Sequence, residues 1–477
     1  MAKQSNISRL ALKAMGLFGG VQVVGILCSI IRTKLVALWL GTVGVGLFGL
    51  FNNALEMLNT ATTLGMRSSS VRDISQAHGS GNSTLIARIV TVVRRWSLLL
   101  GLGGALLTVS LAPLLSRITF GDSDHIWGFV ALSAAVLLLA LTGGEQAVLQ
   151  GTARLKRLAS ATMWGTTVGL AVSIPLFYFL RERSVLPSII AYALAGAIAM
   201  WLLRNREYKP QPVTTRETWD MGRGFIKLGI YMTLGNFATI VAAYVFNAWL
   251  NQEAGTGEVG LFQAGYTLVN KYTGLVLTAL GMEYYPRLAR VAKRPMFLRA
   301  FVSQELHITM MVMAPIIALF ILLRGTIVWL LYSSDFQVIV TYVSWGMVGT
   351  VFRALSWCLA FVILARGDGR TYLVTETLSA VVGLALNILF YSQWGLNGLG
   401  MSFVVWYVVY CVIVGVVYFG RYRLRLFGHS VGSTAWTLLV AVVMLATMEC
   451  GYMSVAIGVT IGAVVIALWQ LWRAWRR

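Results

Sequence analysis

Charge is scarce in this chain. Only 12% of its 477 residues are Asp, Glu, Lys or Arg, about half of what a soluble domain carries. That shortage excludes a soluble globular protein. Acids are scarcer than bases, 17 against 38, and no paired carboxylates or DxD sequence falls in an outer loop long enough to hold a sugar donor. Cysteine is rare as well. Cys28, Cys358, Cys411 and Cys450 lie in apolar runs without CxxC spacing, so they read as apolar fillers and neither a disulfide nor a metal framework. The four histidines, His78, His125, His307 and His429, are scattered, and no metal site is expected. There is no Walker A sequence, which excludes ATP as the energy source. No polar stretch reaches the roughly 50 residues that a soluble domain takes.

What the chain has in quantity is apolar sequence. Hydrophobic residues make up 58% of it and the mean hydropathy is +0.76. Runs of about 20 apolar residues fit a hydrocarbon core of about 30 Å. A β-barrel would alternate in short segments instead. The expected fold is an all-α polytopic membrane protein with about 14 transmembrane helices. They fall near 10–32, 43–66, 96–116, 126–149, 158–180, 186–203, 224–250, 259–283, 302–323, 338–364, 371–391, 395–419, 433–450 and 452–471. The first run lacks an A-x-A cleavage site and is read as a retained helix.

The net charge of +21 raises the question of nucleic acid, but its distribution argues for topology. Alternate loops hold about 30 of the 38 basic residues, while the intervening loops hold only Lys34, Arg117, Arg181, Arg183 and Arg324. The positive-inside rule then places both termini in the cytoplasm. Membrane lipids are the expected partner of this charge and nucleic acid is not.

The chain also repeats itself. "VGLF" recurs from Val45 to Val259, "LGM" from Leu64 to Leu280, and "GLAVSIPLFY" at Gly169 parallels "GLALNILFY" at Gly383. The intervals run from 214 to 216 residues. Two six-helix lobes of like orientation follow, 1–210 and 211–425, with 426–477 adding two further helices.

Polar residues stripe the spans facing this repeat axis. Asn52, Glu56, Asn59 and Thr63 are spaced along one helix face. At an interval of 215, Glu56 maps onto Lys271, beside Asn270. Arg32 ends the first span, Asn236 lies in the seventh and Arg353 in the tenth. An ionisable group in mid-membrane costs a few kcal/mol and normally faces a cavity or a partner. The expected site is therefore a wet, net-cationic central cleft of Arg32, Lys271, Arg353, Asn52, Asn59, Asn270 and Asn236, with Glu56 as the ion-coupling candidate. The competing reading is that these charges form buried ion pairs or snorkel to an interface. Glu145, Glu283 and Glu376 read as ordinary boundary residues near helix ends. Gly44–Gly49 matches GxGxxG, but no strand precedes it, and its glycines suit close helix contact.

Several segments carry a family resemblance. "IIRTKLVALWLGTVGVGLFGL" at Ile30–Leu50, "LGMRSSSVRDIS" at Leu64–Ser75 and "AVLQGTARLKRLA" at Ala147–Ala159 resemble polysaccharide and O-antigen flippases of the multidrug/oligosaccharidyl-lipid/polysaccharide exporter superfamily. The resemblance runs through the first twelve spans. It implies a V-shaped pair of six-helix lobes and alternating access. The implied substrate is a polyprenyl-pyrophosphate-linked oligosaccharide, an O-antigen or related lipopolysaccharide unit, moved from the cytoplasmic to the outer leaflet of the bacterial inner membrane. Arg32 falls on the family's helix-one arginine, and Lys271 resembles a cation of helix eight in lipid II flippases. No cofactor is implied beyond a proton or sodium gradient. Expected partners are the lipid-linked oligosaccharide, the polysaccharide polymerase and glycosyltransferases. The chemistry agrees, since Arg and Lys replace the water of a pyrophosphate and Asn suits sugar hydroxyls. The alternatives are a cation-coupled multidrug antiporter of the same superfamily, whose cavity should be acidic, and a membrane glycosyltransferase or polymerase, which needs a long outer loop. The chain is not expected to be an enzyme.

Overall fold

The computed structural model describes residues 2–79, 82–208, 211–292 and 294–476, and these contain no β-strand. The first helical run, α1 (Ala2–Thr63), has 62 residues and would extend about 90 Å if straight, far more than one bilayer. It is broken at Gly41, whose backbone turns to φ 66°, ψ −161°, a region open to glycine because it lacks Cβ. Next come α2 (Met66–Gly79), α3 (Ser83–Phe120) and α4 (Ile126–Gly151). Then α5 (Leu155–Leu180) and α6 (Val185–Leu202) are joined by a short turn in which Arg181 adopts φ 52°. The chain continues through α7 (Thr215–Ala254) and α8 (Thr256–Tyr266), a π-helical segment Thr267–Tyr272, then α9 (Thr273–Val291) and α10 (Pro295–Leu322). It ends with α11 (Arg324–Leu331), α12 (Val340–Ala365), α13 (Gly369–Gly415, broken at Gly395), α14 (Gly428–Glu449) and α15 (Met453–Arg476).

Among the described residues, ten helical stretches are long and apolar enough to cross a membrane. Three of them, Gly20–Thr63, Leu155–Leu202 and Gly369–Arg421, are long enough for two crossings each. They are the ones broken at Gly41, Arg181 and Gly395. The expected eighth span, 259–283, lies in the helical run through α8 and α9, outside those ten. An all-α, fourteen-helix membrane fold is what the sequence predicted. One local addition is α2, which lies between the expected spans 43–66 and 96–116. It forms because Met66, Ile74 and Ala77 recur at helical spacing and are buried. Asn82 then caps α3 by accepting from the Leu85 amide at 3.0 Å.

The chain packs as two compact units, Met1–Val259 and Gly260–Arg477. In the first, α3 packs on α4, α5 on α6, and α7 on α1, α2 and α3. The α7 contact is glycine to glycine: a Cβ on Gly229 would meet the Leu64 carbonyl oxygen at 2.2 Å. In the second, α12 packs on α13, while α14 and α15 both lie against α10.

The sequence repeat has a backbone counterpart. Helix α4 ends in a turn where the Arg154 amide donates to Leu149 O (2.8 Å) and the Ala153 amide to Gln150 O (3.1 Å). The same two bonds recur 214 residues on: Asp368 N to Ile363 O (3.2 Å) and Gly367 N to Leu364 O (2.9 Å). This double bond is the Schellman helix stop. The breaks at Gly41 and Arg181 recur at the same interval at Gly255 and Gly395, again with positive φ.

Candidate functional site

In the first unit, Arg32 packs its guanidinium carbon 4.5 Å from the ring centroids of both Phe48 and Tyr192. Gly169 makes room for this, since a Cβ there would come within 2.7 Å of the Tyr192 ring. Each ring contributes about 0.5–2 kcal/mol of cation–π attraction. Arg32 has no carboxylate partner among the described residues, so its N–H edges are the part left for a ligand. Asn52 donates to the backbone carbonyl Phe48 O, one turn back in its own helix, at 2.7 Å. One turn further on, the Glu56 side chain is exposed. Asn59 follows, with its Oδ1 buried and without a hydrogen-bond partner. It lines a cavity of about 270 Å³ together with Thr63, Arg67, Ser97, Thr142 and Gln146. The hydroxyls of Thr63, Ser97 and Thr142 all donate to carbonyls of their own helices, so they offer the cavity lone pairs only. Asn236 is exposed on α7, two turns beyond the Gly229 contact.

In the second unit, Asn270 and Lys271 both fall in the π-helical segment. A π turn carries one extra residue in the helix and is seldom kept without a use. Arg353 holds it: Nη1 donates to Asn270 O at 2.8 Å and to Thr273 Oγ1 at 3.1 Å. Gly274 admits the guanidinium, because a Cβ there would lie 3.1 Å from Nη2. The Asn270 Oδ1 is buried without a partner, and the Lys271 side chain is exposed. Arg353 thus reaches the site chiefly through the backbone that presents Lys271. The structure brings Arg32, Asn52, Glu56, Asn59 and Asn236 into one unit and Asn270, Lys271 and Arg353 into the other.

Three features escaped the sequence. The π segment left a trace, because its one extra residue supplies half of the drift in the repeat interval from 214 at Val45 to 216 at Leu64. Arg67 and Gln146 looked like loop and helix-end residues, and only folding puts them on one cavity. Glu376 accepts a short hydrogen bond from the Tyr410 hydroxyl in a half-buried setting, a pairing no spacing rule gives. Glu145, by contrast, is the boundary residue expected, held by Arg94 at 2.6 and 3.0 Å.

A sequence profile of the polysaccharide biosynthesis protein family matches residues 80–341, more than half of the chain. The chain belongs to this family. Over 397 residues the chain is 23% identical to the lipid III flippase of Escherichia coli K12, covering 79% of the chain and 90% of that protein. The lipid III flippase of Shigella flexneri matches to the same extent. Among solved structures, the inward closed lipid II flippase MurJ aligns with a TM-score of 0.70 at 12% identity, covering 98% of this chain and 100% of that one. An inward-facing multidrug resistance MATE transporter of the MOP superfamily aligns at 0.72 and 14% identity, covering 84% and 94%. These likenesses establish the fold, and with it a multi-pass membrane protein. The 98% alignment leaves too few residues uncovered to omit α14 and α15.

Proposed function

We propose that this protein is a secondary transporter that flips a polyprenyl-pyrophosphate-linked oligosaccharide from the cytoplasmic to the outer leaflet of the bacterial inner membrane, by alternating access, with both termini in the cytoplasm. It is a transporter and not an enzyme, in keeping with relatives that are named flippases and transporters. The observation that carries the reading is Lys271, an exposed cation on a π segment that Arg353 holds in place. A rigidly presented ammonium suits a pyrophosphate, and the neighbouring carboxamides suit sugar hydroxyls. A multidrug antiporter for cationic drugs needs acids in these positions; the ionisable residues of the expected cleft are Arg32, Lys271 and Arg353 against Glu56. Glu56 is the candidate for coupling to a proton or sodium gradient. The polymerase and glycosyltransferases that make and use such a substrate are the expected functional partners.

Deletion of the gene tests the reading. The expected result is accumulation of a lipid-linked oligosaccharide, identified by mass spectrometry and removed by complementation. An unchanged lipid-linked pool, with altered drug sensitivity, would favour the antiporter.

A further inference from the structure

The two helices outside the repeat, α14 and α15, enclose with α10 a cavity of about 660 Å³. Its walls include Gln304 and His307 of α10, His429 of α14, and Trp469, Gln470 and Arg473 of α15. Among the described residues, no Asp or Glu lines it. The Arg473 guanidinium stacks 3.7 Å from the Trp469 ring, which fixes its plane and leaves its edge donors for an anion. The imidazoles of His307 and His429 meet edge to face at 5.7 Å. The His307 Nδ1 is buried with no hydrogen-bond partner, a cost that a ligand in the cavity would relieve. Beside the cavity, Arg299 packs against Phe427 at 5.6 Å and adds a further positive charge.

The surroundings say what kind of anion fits. The cavity sits at the end of α15, next to Trp469 and Trp472, and the same helix carries exposed Ile461, Val465 and Leu468. Tryptophans at a helix end mark the membrane interface. A soluble anion would satisfy the cations and leave the apolar strip bare, whereas a lipid covers both. We propose that this cavity binds the phosphate head group of an anionic phospholipid, with its acyl chains running along α15. Basic pockets between transmembrane helices hold lipid phosphates in this way.

The test is lipid retention by the purified full-length protein, read by native mass spectrometry after exchange into mixed phosphatidylglycerol and phosphatidylethanolamine. The wild type should retain phosphatidylglycerol at least fivefold over phosphatidylethanolamine. Arg473→Glu, and separately His307→Leu with His429→Leu, should each cut that retention at least fivefold. Gln304→Ala, at an exposed rim position, is the milder variant in case the others fail to fold, with an expected loss of about twofold. Equal retention of both lipids by the wild type, or unchanged retention in Gln304→Ala and every folded variant, would overturn the proposal. So would displacement of the lipid by millimolar inorganic phosphate, which would make the site one for a soluble anion. The readout needs no transport: a protein that holds phosphatidylglycerol but flips nothing would refute the proposed function and leave this site standing.

Discussion

The two repeats share helix stops and breaks at several places and depart at others, one of which is the turn that carries Lys271. Helix α4, Ile126–Gly151, and helix α12, Val340–Ala365, begin and end 214 residues apart, and their stops are closed by the same bonds. Residues 53–58 are regular α-helix, whereas their counterparts 267–272 are π-helical. Arg353, which holds that π segment, has Leu139 as its counterpart. Charge behaves differently from backbone. Arg154 pairs with Glu207 in the first repeat, and at the same two positions of the second, Asp368 pairs with Arg421 at 3.0 Å. The polarity is reversed, yet each repeat completes its own pair. Opposite charges at matched positions, such as Glu56 and Lys271, are therefore no sign of function by themselves. The departure of the backbone at Lys271, with a dedicated arginine behind it, is the better sign.

The largest effect should come from erasing that departure. Lys271→Ala is expected to slow export about 10- to 100-fold, the worth of one charge-assisted hydrogen bond, and Lys271→Arg to retain part of it. Arg353→Leu installs the residue of the first repeat. It should lower export to a similar degree and speed amide exchange over 267–273, which hydrogen-exchange mass spectrometry reads. Full export by Arg353→Leu with unchanged exchange would show the π segment to be incidental.

The first repeat places Glu56 where the second places the π segment. Glu56→Gln keeps shape and hydrogen bonding and removes the charge. A coupling role predicts a stable protein with several-fold slower turnover that has lost its dependence on the pH gradient. Export with unchanged pH dependence would remove Glu56 from the mechanism.

Reversing the corner pair tests whether polarity is free. Arg154→Glu with Glu207→Arg gives the first repeat the polarity of the second. Each single change should cost up to about 1 kcal/mol, since the pair is half exposed, and the double change should restore most of it in a thermal-melting cycle. In the second repeat, burial raises the Asp368 carboxyl, but hydrogen bonds from Thr371 and Tyr422 and the Arg421 charge outweigh it and hold it below its usual range. A carboxylate lowered on folding stabilises above its unfolded value and loses that contribution as pH falls through the folded one. The second corner should thus weaken only in acid.

The smallest effect concerns the turn itself. Ala153 sits at φ 55° where the second repeat has Gly367 at φ 72°. Ala153→Gly should stabilise and Gly367→Ala destabilise, each by about 1 kcal/mol.

Much of the fold was legible because bilayer thickness imposes span length on the sequence, and the positions of Gly41 and Gly395 fall where span boundaries were expected. The stripe of Asn52, Glu56 and Asn59 was legible because helical spacing puts those residues on one face. Arg353 was visible as an embedded charge, but its task was not, because donation to Asn270 O depends on a helix geometry with no sequence signature beyond a drift in the repeat. The Arg32 cage was hidden for a related reason. Phe48 and Tyr192 come from different helices, and aromatic residues are too common in spans to mark a contact.

The most direct test of the central claim is transport by the purified protein in proteoliposomes, comparing the wild type with Lys271→Ala at equal protein content. The account predicts that the wild type delivers a polyprenyl-pyrophosphate-linked oligosaccharide to the opposite leaflet, where an added glycosidase can reach it, and that the variant does so at least tenfold more slowly. Equal rates in the two proteins, or no delivery by the wild type, would contradict it.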